Sequence, residues 1–254
     1  MKRRADGREV YVDLRVRAPL VVRADGRGFG TILRKAEKPY DLDFAKVMAE
    51  AARAFVKESG LFPALAFTFS DEISLFFSEA PFNGRLEKID SVVAGTLSGH
   101  LSLGLGKAVA MDARSIPLCS GEIIEYFAER QDEAWRNHVF SSGFYALIDD
   151  GLAPHEAMNR LRGMKEADIH EMLFCRGTNL AKSPAWQRRG ILIRREKGAE
   201  AGEGGEEGAG KRRGKGRGKD ERRKKRWRVV EDWEPPLFRS EEGRRLLDWT
   251  IRDL

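Results

Sequence analysis

The stretch "LAFTFSDEISLFF", residues 65–77, reads as one long buried strand broken in its middle by Ser70, Asp71 and Glu72. An unbroken strand alternates its faces, which would put Asp71 on the same side as Phe67, Phe69, Ile73 and Leu75. A buried carboxylate must be paired, bound to a metal or neutralised. A hairpin of residues 64–69 and 73–77, turning at the triplet, avoids that burial. The triplet is then either turn chemistry alone or a place where carboxylates are presented for a reaction.

The flanking sequence decides how that hairpin is used. Upstream, "APLVVRADGRGFG" (18–30) opens with an apolar strand, 20–24, that stops at Asp25-Gly26. "DLDFAKVMAEAARAFVKESG" (41–60) has Phe44, Val47, Met48, Ala51 and Phe55 at helical spacing, with Asp41 or Asp43 as cap and Gly60 as stop. Downstream, "NGRLEKIDSVVAGTLSGHLSLGLGK" (83–107) is a second helix with Leu86, Ile89, Val92, Val93 and Leu97 on one side, and "KAVAMDA" (107–113) is another strand. The order β-α-β-β-α-β is the ferredoxin-like arrangement. In it the first and third strands are antiparallel neighbours at the sheet centre. Asp25 then ends one strand beside the point where Asp71 and Glu72 begin the other, so carboxylates distant in sequence reach one end of the sheet, facing metal and solvent.

The second half changes character. Residues 120–174 are mostly helical, with Pro154 in a first turn; "RRGILIRRE" (188–196) is a strand, and "WRVVEDWEPPLF" (227–238) returns to the body. The predicted class is α+β, with domains at 1–118 and 119–254 and a low-complexity insertion at 197–226 that is expected to be disordered. There is no internal repeat.

Hydrophobic residues are 41% of the 254, enough for a core. The net charge of +6 is concentrated: "KRRGKGRGKDERRKKR" (211–226) has 11 Lys/Arg and 2 Asp/Glu, so the rest of the chain sums to −3. That run is either a solvated loop or a flexible arm for phosphate backbones. No run of about 18 apolar residues predicts a transmembrane helix, and "MKRRADGREVYVD" lacks a signal-peptide core. Cys119 and Cys175 stand apart, as reduced thiols of a cytoplasmic protein do. The four histidines have no metal spacing, and neither a G-x-S-x-G motif nor a Cys–His pairing supports a nucleophilic hydrolase.

Two carboxylate-bearing strand ends are what a two-metal phosphoryl-transfer site needs, because Mg²⁺ takes one or two carboxylates together with phosphates and water. "DGRGFG" adds Gly26, Gly28 and Gly30, a loop able to cradle a triphosphate, though it matches neither the dinucleotide nor the P-loop pattern. Lys38, Arg85 and Lys88 are available cations, the last two on one helix face.

The segments "VVRADGRGF", "AEKPYD", "FSDEISLFF", "MDAR", "ERQDEAWRN" and "RLRGMKEADIHEMLFCRGTNLAKSPAWQRRGILI" together resemble the tRNA-histidine guanylyltransferases and the related 3′-to-5′ polymerases. The resemblance spans about residues 20–195 and implies a polymerase-type palm. It implies that Asp25, the Gly26 carbonyl and Asp71 bind two Mg²⁺ ions, with Glu72 a third catalytic carboxylate close by. Nucleotide would be held by Asp25, Gly26, Arg27, Gly28, Phe29, Gly30, Ser70 and Asp71. Lys38 would serve activation, and Arg23, Arg85 and Lys88 would meet triphosphate. Asn137, Lys182, Arg188 and Arg189 would contact tRNA. Family enzymes adenylylate a tRNA 5′-monophosphate with ATP, after which the 3′-hydroxyl of GTP attacks; many are tetramers. Eukaryotic members carry His-Ile-Asn-Asn where this chain has Trp135-Arg136-Asn137-His138, which tilts the likeness toward the archaeal and bacterial branch and its template-dependent 5′-end repair. A nucleotide cyclase on a similar palm and a non-catalytic RNA-binding protein are the alternatives.

Overall fold

The structure, a computed structural model, describes residues 10–197 and 227–252. Strand β1 (Leu20–Arg27) runs into a short helix α1 (Phe29–Ile32), then α2 (Leu42–Glu58), the hairpin β2 (Leu65–Phe69) and β3 (Glu72–Phe77), α3 (Leu86–Leu105) and β4 (Ala110–Pro117). The long α4 (Ile123–Asp149) follows, then α5 (Pro154–Arg162), α6 (Glu166–Cys175), α7 (Ala185–Arg189), β5 (Ile191–Lys197), β6 (Trp227–Asp232) and α8 (Glu241–Arg252). The first four strands lie in the ferredoxin-like order β4-β1-β3-β2, all antiparallel, and β5 and β6 extend the same sheet beyond β2.

β2 and β3 are apolar almost throughout because both faces of the sheet are covered. On one face Leu20, Val22, Ala24, Ile73, Leu75 and Phe77 pack against α2 and α3 through Met48, Phe55, Ile89 and Leu97. On the other, Val21, Leu65, Phe67 and Phe76 meet Phe127 of α4 and Phe238. Phe67 is fully buried, edge-on to both Phe127 and Phe238. Further along, α4 leaves the sheet and builds a helical core with α5 and α6 through Val139, Leu147, Leu161 and Leu173.

Helix α2 begins as its sequence predicts, with the Asp41 carboxylate accepting the Phe44 N–H at 2.9 Å. β1 runs three residues past the expected end at residue 24, so Asp25 and Gly26 are strand residues, paired with Asp112 and Met111 of β4. The β2–β3 turn is also tighter than the triplet suggested. Only Ser70 and Asp71 lie outside the strands, and Glu72 is already the first residue of β3, opposite Phe69.

One buried side chain ties the C-terminal segment to this frame. Gln131 of α4 donates through Nε2 to the carbonyls of Arg189 and Pro236, and accepts from the Phe238 N–H at 2.7 Å. The expected insertion lies, apart from Lys197, outside the described residues; Lys197 and Trp227 are cross-strand partners on either side of it. Among the described residues no helix is long and apolar enough to cross a membrane.

Candidate active site

The end of the sheet where β1 finishes and β3 starts gathers the carboxylates. Asp25 pairs in register with Glu72, and the Gly26 N–H donates to the Asp71 carbonyl at 3.0 Å, so main chain alone locks the two acidic turns together. Gly26 must be glycine here, because a Cβ would come within 2.4 Å of the Phe29 ring. Gly28 has φ +74°, a conformation that side-chain-bearing residues disfavour, and it ends the strand ahead of α1. No such steric demand falls on Gly30, which with Arg27 is exposed, whereas Phe29 is buried against the core.

Asp71 is half-buried, and its Oδ1 accepts from Ser70 Oγ at 3.3 Å. Burial raises the Asp71 carboxyl above its ordinary range, and the neighbouring Asp25 charge pushes the same way. Glu72 does not face solvent as the turn reading expected. It points inward with its side chain 10% exposed, ion-paired to Arg130 at 3.1 Å and Arg23 at 3.7 Å, and accepts from Ser74 Oγ. The physical reason is register: starting β3 one residue early turns Glu72 onto the α4 face. Its carboxyl is nonetheless raised, because burial outweighs Arg130 and Arg23. Arg23 also approaches Asp25 at 3.6 Å, and Arg114 lies 3.1 Å from Asp25 Oδ2.

The site has the chemistry of a hard-cation centre. Asp25 Oδ2 is closed off from solvent and no hydrogen bond reaches it, only the two ion pairs. Beside it stands a second carboxyl disfavoured as an anion by burial. A divalent ion between Asp25 and Asp71 would relieve both. Among the described residues no three His, Cys, Asp or Glu side chains stand together as a closed metal site. Two carboxylates and a carbonyl leave the remaining positions to phosphate oxygens and water.

A cavity of about 330 Å³ opens next to the turn. Its walls include Lys38, Tyr40 and Asp41 before α2, Phe69 and Ser70 of the hairpin, Asn137 of α4 and Trp186 of α7. Lys38 Nζ donates to the Leu33 carbonyl at 2.8 Å. Tyr40, its hydroxyl pushed up by burial, stacks near His138 at 5.4 Å and Trp186 at 5.9 Å. His138 is buried with neither ring nitrogen bonded, and burial holds it neutral, pushed down to about 4.

Other expected residues lie elsewhere. Arg85 and Lys88 are not brought to this site within the chain. α3 begins where β3 ends, at the opposite end of the sheet, and both residues line a shallow cavity with Val10 and Tyr11. Arg188 and Arg189 donate to the carbonyls of Ser183 and Pro235 and so help hold the chain, while Lys182 is exposed. Three residues at the site had no role in the sequence reading: Tyr126, Arg130 and Arg114. The first two are four apart on α4, one face of a helix, which is the signal that would have linked them; Tyr126 shares its hydroxyl with Ser74 Oγ at 3.3 Å.

A split β-α-β sheet with two carboxylates at its open end and a helical region on one face defines a polymerase-type palm. Comparison with known proteins agrees and is more specific. Residues 5–127 match the family model described as tRNAHis guanylyltransferase, and residues 121–233 match the Thg1 C terminal domain. The chain belongs to the tRNA-histidine guanylyltransferase family and is a nucleotidyltransferase. It is 31% identical over 192 residues to a probable tRNA(His) guanylyltransferase of Dictyostelium discoideum, covering 68% of this chain and 74% of that one. To the probable tRNA(His) guanylyltransferase of Drosophila melanogaster it is 28% identical, covering 70% and 67%. The fold matches a bacterial tRNA(HIS) guanylyltransferase (Thg1)-like protein in complex with ATP, with TM-score 0.70, 23% identity and coverage of 95% and 94%.

Proposed function

We propose that this enzyme adds nucleotides in the 3′-to-5′ direction to the 5′ end of tRNA, guanylate to histidine tRNA in the first instance. The observation that carries the reading is the Gly26 N–H to Asp71 carbonyl bond, which ties the Asp25 strand end to the Asp71 turn, whose neighbour Ser70 lines a nucleotide-sized cavity. Family membership supplies the direction of addition and the substrate class.

Asp25, the Gly26 carbonyl and Asp71 would hold two Mg²⁺ ions. Bound there, the ions would make the attacking hydroxyl more acidic and neutralise phosphate charge. The chain's own groups do the rest. The cavity walled by Tyr40, Phe69 and Trp186 takes a nucleobase, and Lys38 lies at its rim to meet phosphate during activation of the tRNA 5′-monophosphate by ATP. Arg23, set between Asp25 and Glu72, ion-pairs with both carboxylates and helps fix their positions. The 3′-hydroxyl of GTP would then attack the adenylylated 5′ phosphate, forming the new phosphodiester and displacing AMP.

A second reading, template-dependent repair of many truncated tRNAs, is favoured by His138. It stands where eukaryotic members carry the last asparagine of His-Ile-Asn-Asn, and it is buried between Tyr40 and Trp135. Labelled GTP, with ATP and Mg²⁺, offered to two 5′-monophosphorylated transcripts separates the readings. One is histidine tRNA lacking its extra guanosine, the other an unrelated tRNA lacking its first nucleotide. Label in the first alone means a dedicated guanylyltransferase; label in both means a repair polymerase; label in neither overturns the assignment.

A further inference from the structure

In β4, Asp112 and Arg114 face the same side of the sheet, and the register sets Asp112 opposite Asp25 and Arg114 opposite Arg23. On the other flank Asp25 faces Glu72. Three carboxylates therefore lie abreast on β4, β1 and β3, with two arginines in the row behind. Like charges directly opposite on neighbouring strands destabilise a sheet. Cations reaching diagonally between the rows offset the repulsion, and they do so unequally. Arg23 is 23% exposed and Arg130 19%, each enclosed by its partners. Arg114 stands on an edge strand with its side chain 52% exposed, and its one Nη2 bridges Asp25 Oδ2 at 3.1 Å and Asp112 Oδ1 at 2.9 Å.

We propose that Arg114 is a resident cation that occupies Asp25 until a divalent metal ion takes its place, and then withdraws onto Asp112. It contacts the carboxylate that the metal would need, it is exposed enough to move, and its second partner lies on its own strand. The enclosed Arg23 has neither freedom. Arg114 thus keeps the row of carboxylates from repelling while the site is without metal, and it makes metal entry an exchange of cations. This inference rests on Asp25 being a metal ligand.

The test is a double-mutant cycle read by Mn²⁺ binding to the nucleotide-free protein at fixed ionic strength, with free Mn²⁺ followed by electron paramagnetic resonance. Arg114→Gln removes the competitor and is expected to tighten binding about threefold, the factor a half-exposed ion pair represents. Asp112→Asn removes the place of withdrawal and should weaken binding by a similar factor in the parent protein. In the Arg114→Gln background, the same Asp112→Asn change should have no effect. Equal weakening in both backgrounds would reduce Asp112 and Arg114 to independent surface charges and overturn the proposal, as would unchanged binding in Arg114→Gln. Asp25→Asn is the control: if Mn²⁺ binding does not depend on Asp25, the metal reading itself falls, whereas Asp25-dependent binding with an additive cycle removes only the role of Arg114.

Discussion

At Asp71, burial and the Asp25 charge both raise the carboxyl above the ordinary 3.8; at Glu72, one residue later, burial raises it even though Arg130 and Arg23 pull the other way. A carboxyl whose folded value lies above its unfolded one binds protons more readily in the folded state. Stability therefore falls as pH rises from the ordinary range through the raised value, and above it the charge is a standing cost. Asp71→Asn is then expected to abolish nucleotide addition while leaving the melting temperature at pH 7 equal to or above that of the parent. The difference should vanish when the scan is run below the ordinary carboxylate range. A large loss of melting temperature at pH 7 would instead make Asp71 structural. That Asp25 and Asp71 meet was legible in the sequence, since strand order and turn chemistry are both written in periodicity and punctuation. The burial of Glu72 was not, because a turn shorter by one residue flips every following side chain to the other face.

Helix α4 joins two cores, and its sequence shows only part of that work. Its apolar positions were readable as helix, yet Gln131 carried no signal of being the buried latch that joins α4 to the carbonyls of Arg189 and Pro236 and to the Phe238 N–H. Those partners come from segments more than 50 residues away, and no local pattern encodes them. Gln131→Leu keeps the volume but leaves the buried Phe238 N–H and two part-buried carbonyls without this partner, so a loss of about 2–3 kcal/mol in denaturant unfolding is expected. Loss of the α8 side of the molecule should accompany it, visible as faster amide exchange at Phe238. Helix α3 teaches a complementary lesson. Helical spacing put Arg85 and Lys88 on one face, but Arg85 is the extended residue that caps α3 and not part of it, and spacing says nothing about which end of the sheet the helix start reaches. Chain direction does: β3 runs away from the turn, so the helix after it starts at the far end.

At the scale of the whole molecule, the stretch 198–226, which ends in the basic run 211–226, connects two residues, Lys197 and Trp227, that are already partners in the β5–β6 ladder. Replacing residues 198–226 with Asn-Gly, a two-residue hairpin turn, should therefore leave the melting temperature unchanged. If the run serves as an arm for phosphate backbones, the same replacement should flatten the salt dependence of tRNA binding; an unaltered slope would make it a passive linker. The ladder itself has a further consequence. β5 pairs with β2, so the two family segments, 5–127 and 121–233, share one sheet. A fragment cut near residue 118 would keep Asp25 and Asp71 but lay bare the whole length of β2, five residues buried in the intact chain. An unprotected apolar strand of that kind recruits other chains. The half that carries Asp25 and Asp71 has its β2 edge covered by β5, and an attempt to make a minimal enzyme would have to carry the β5–β6 pair with it.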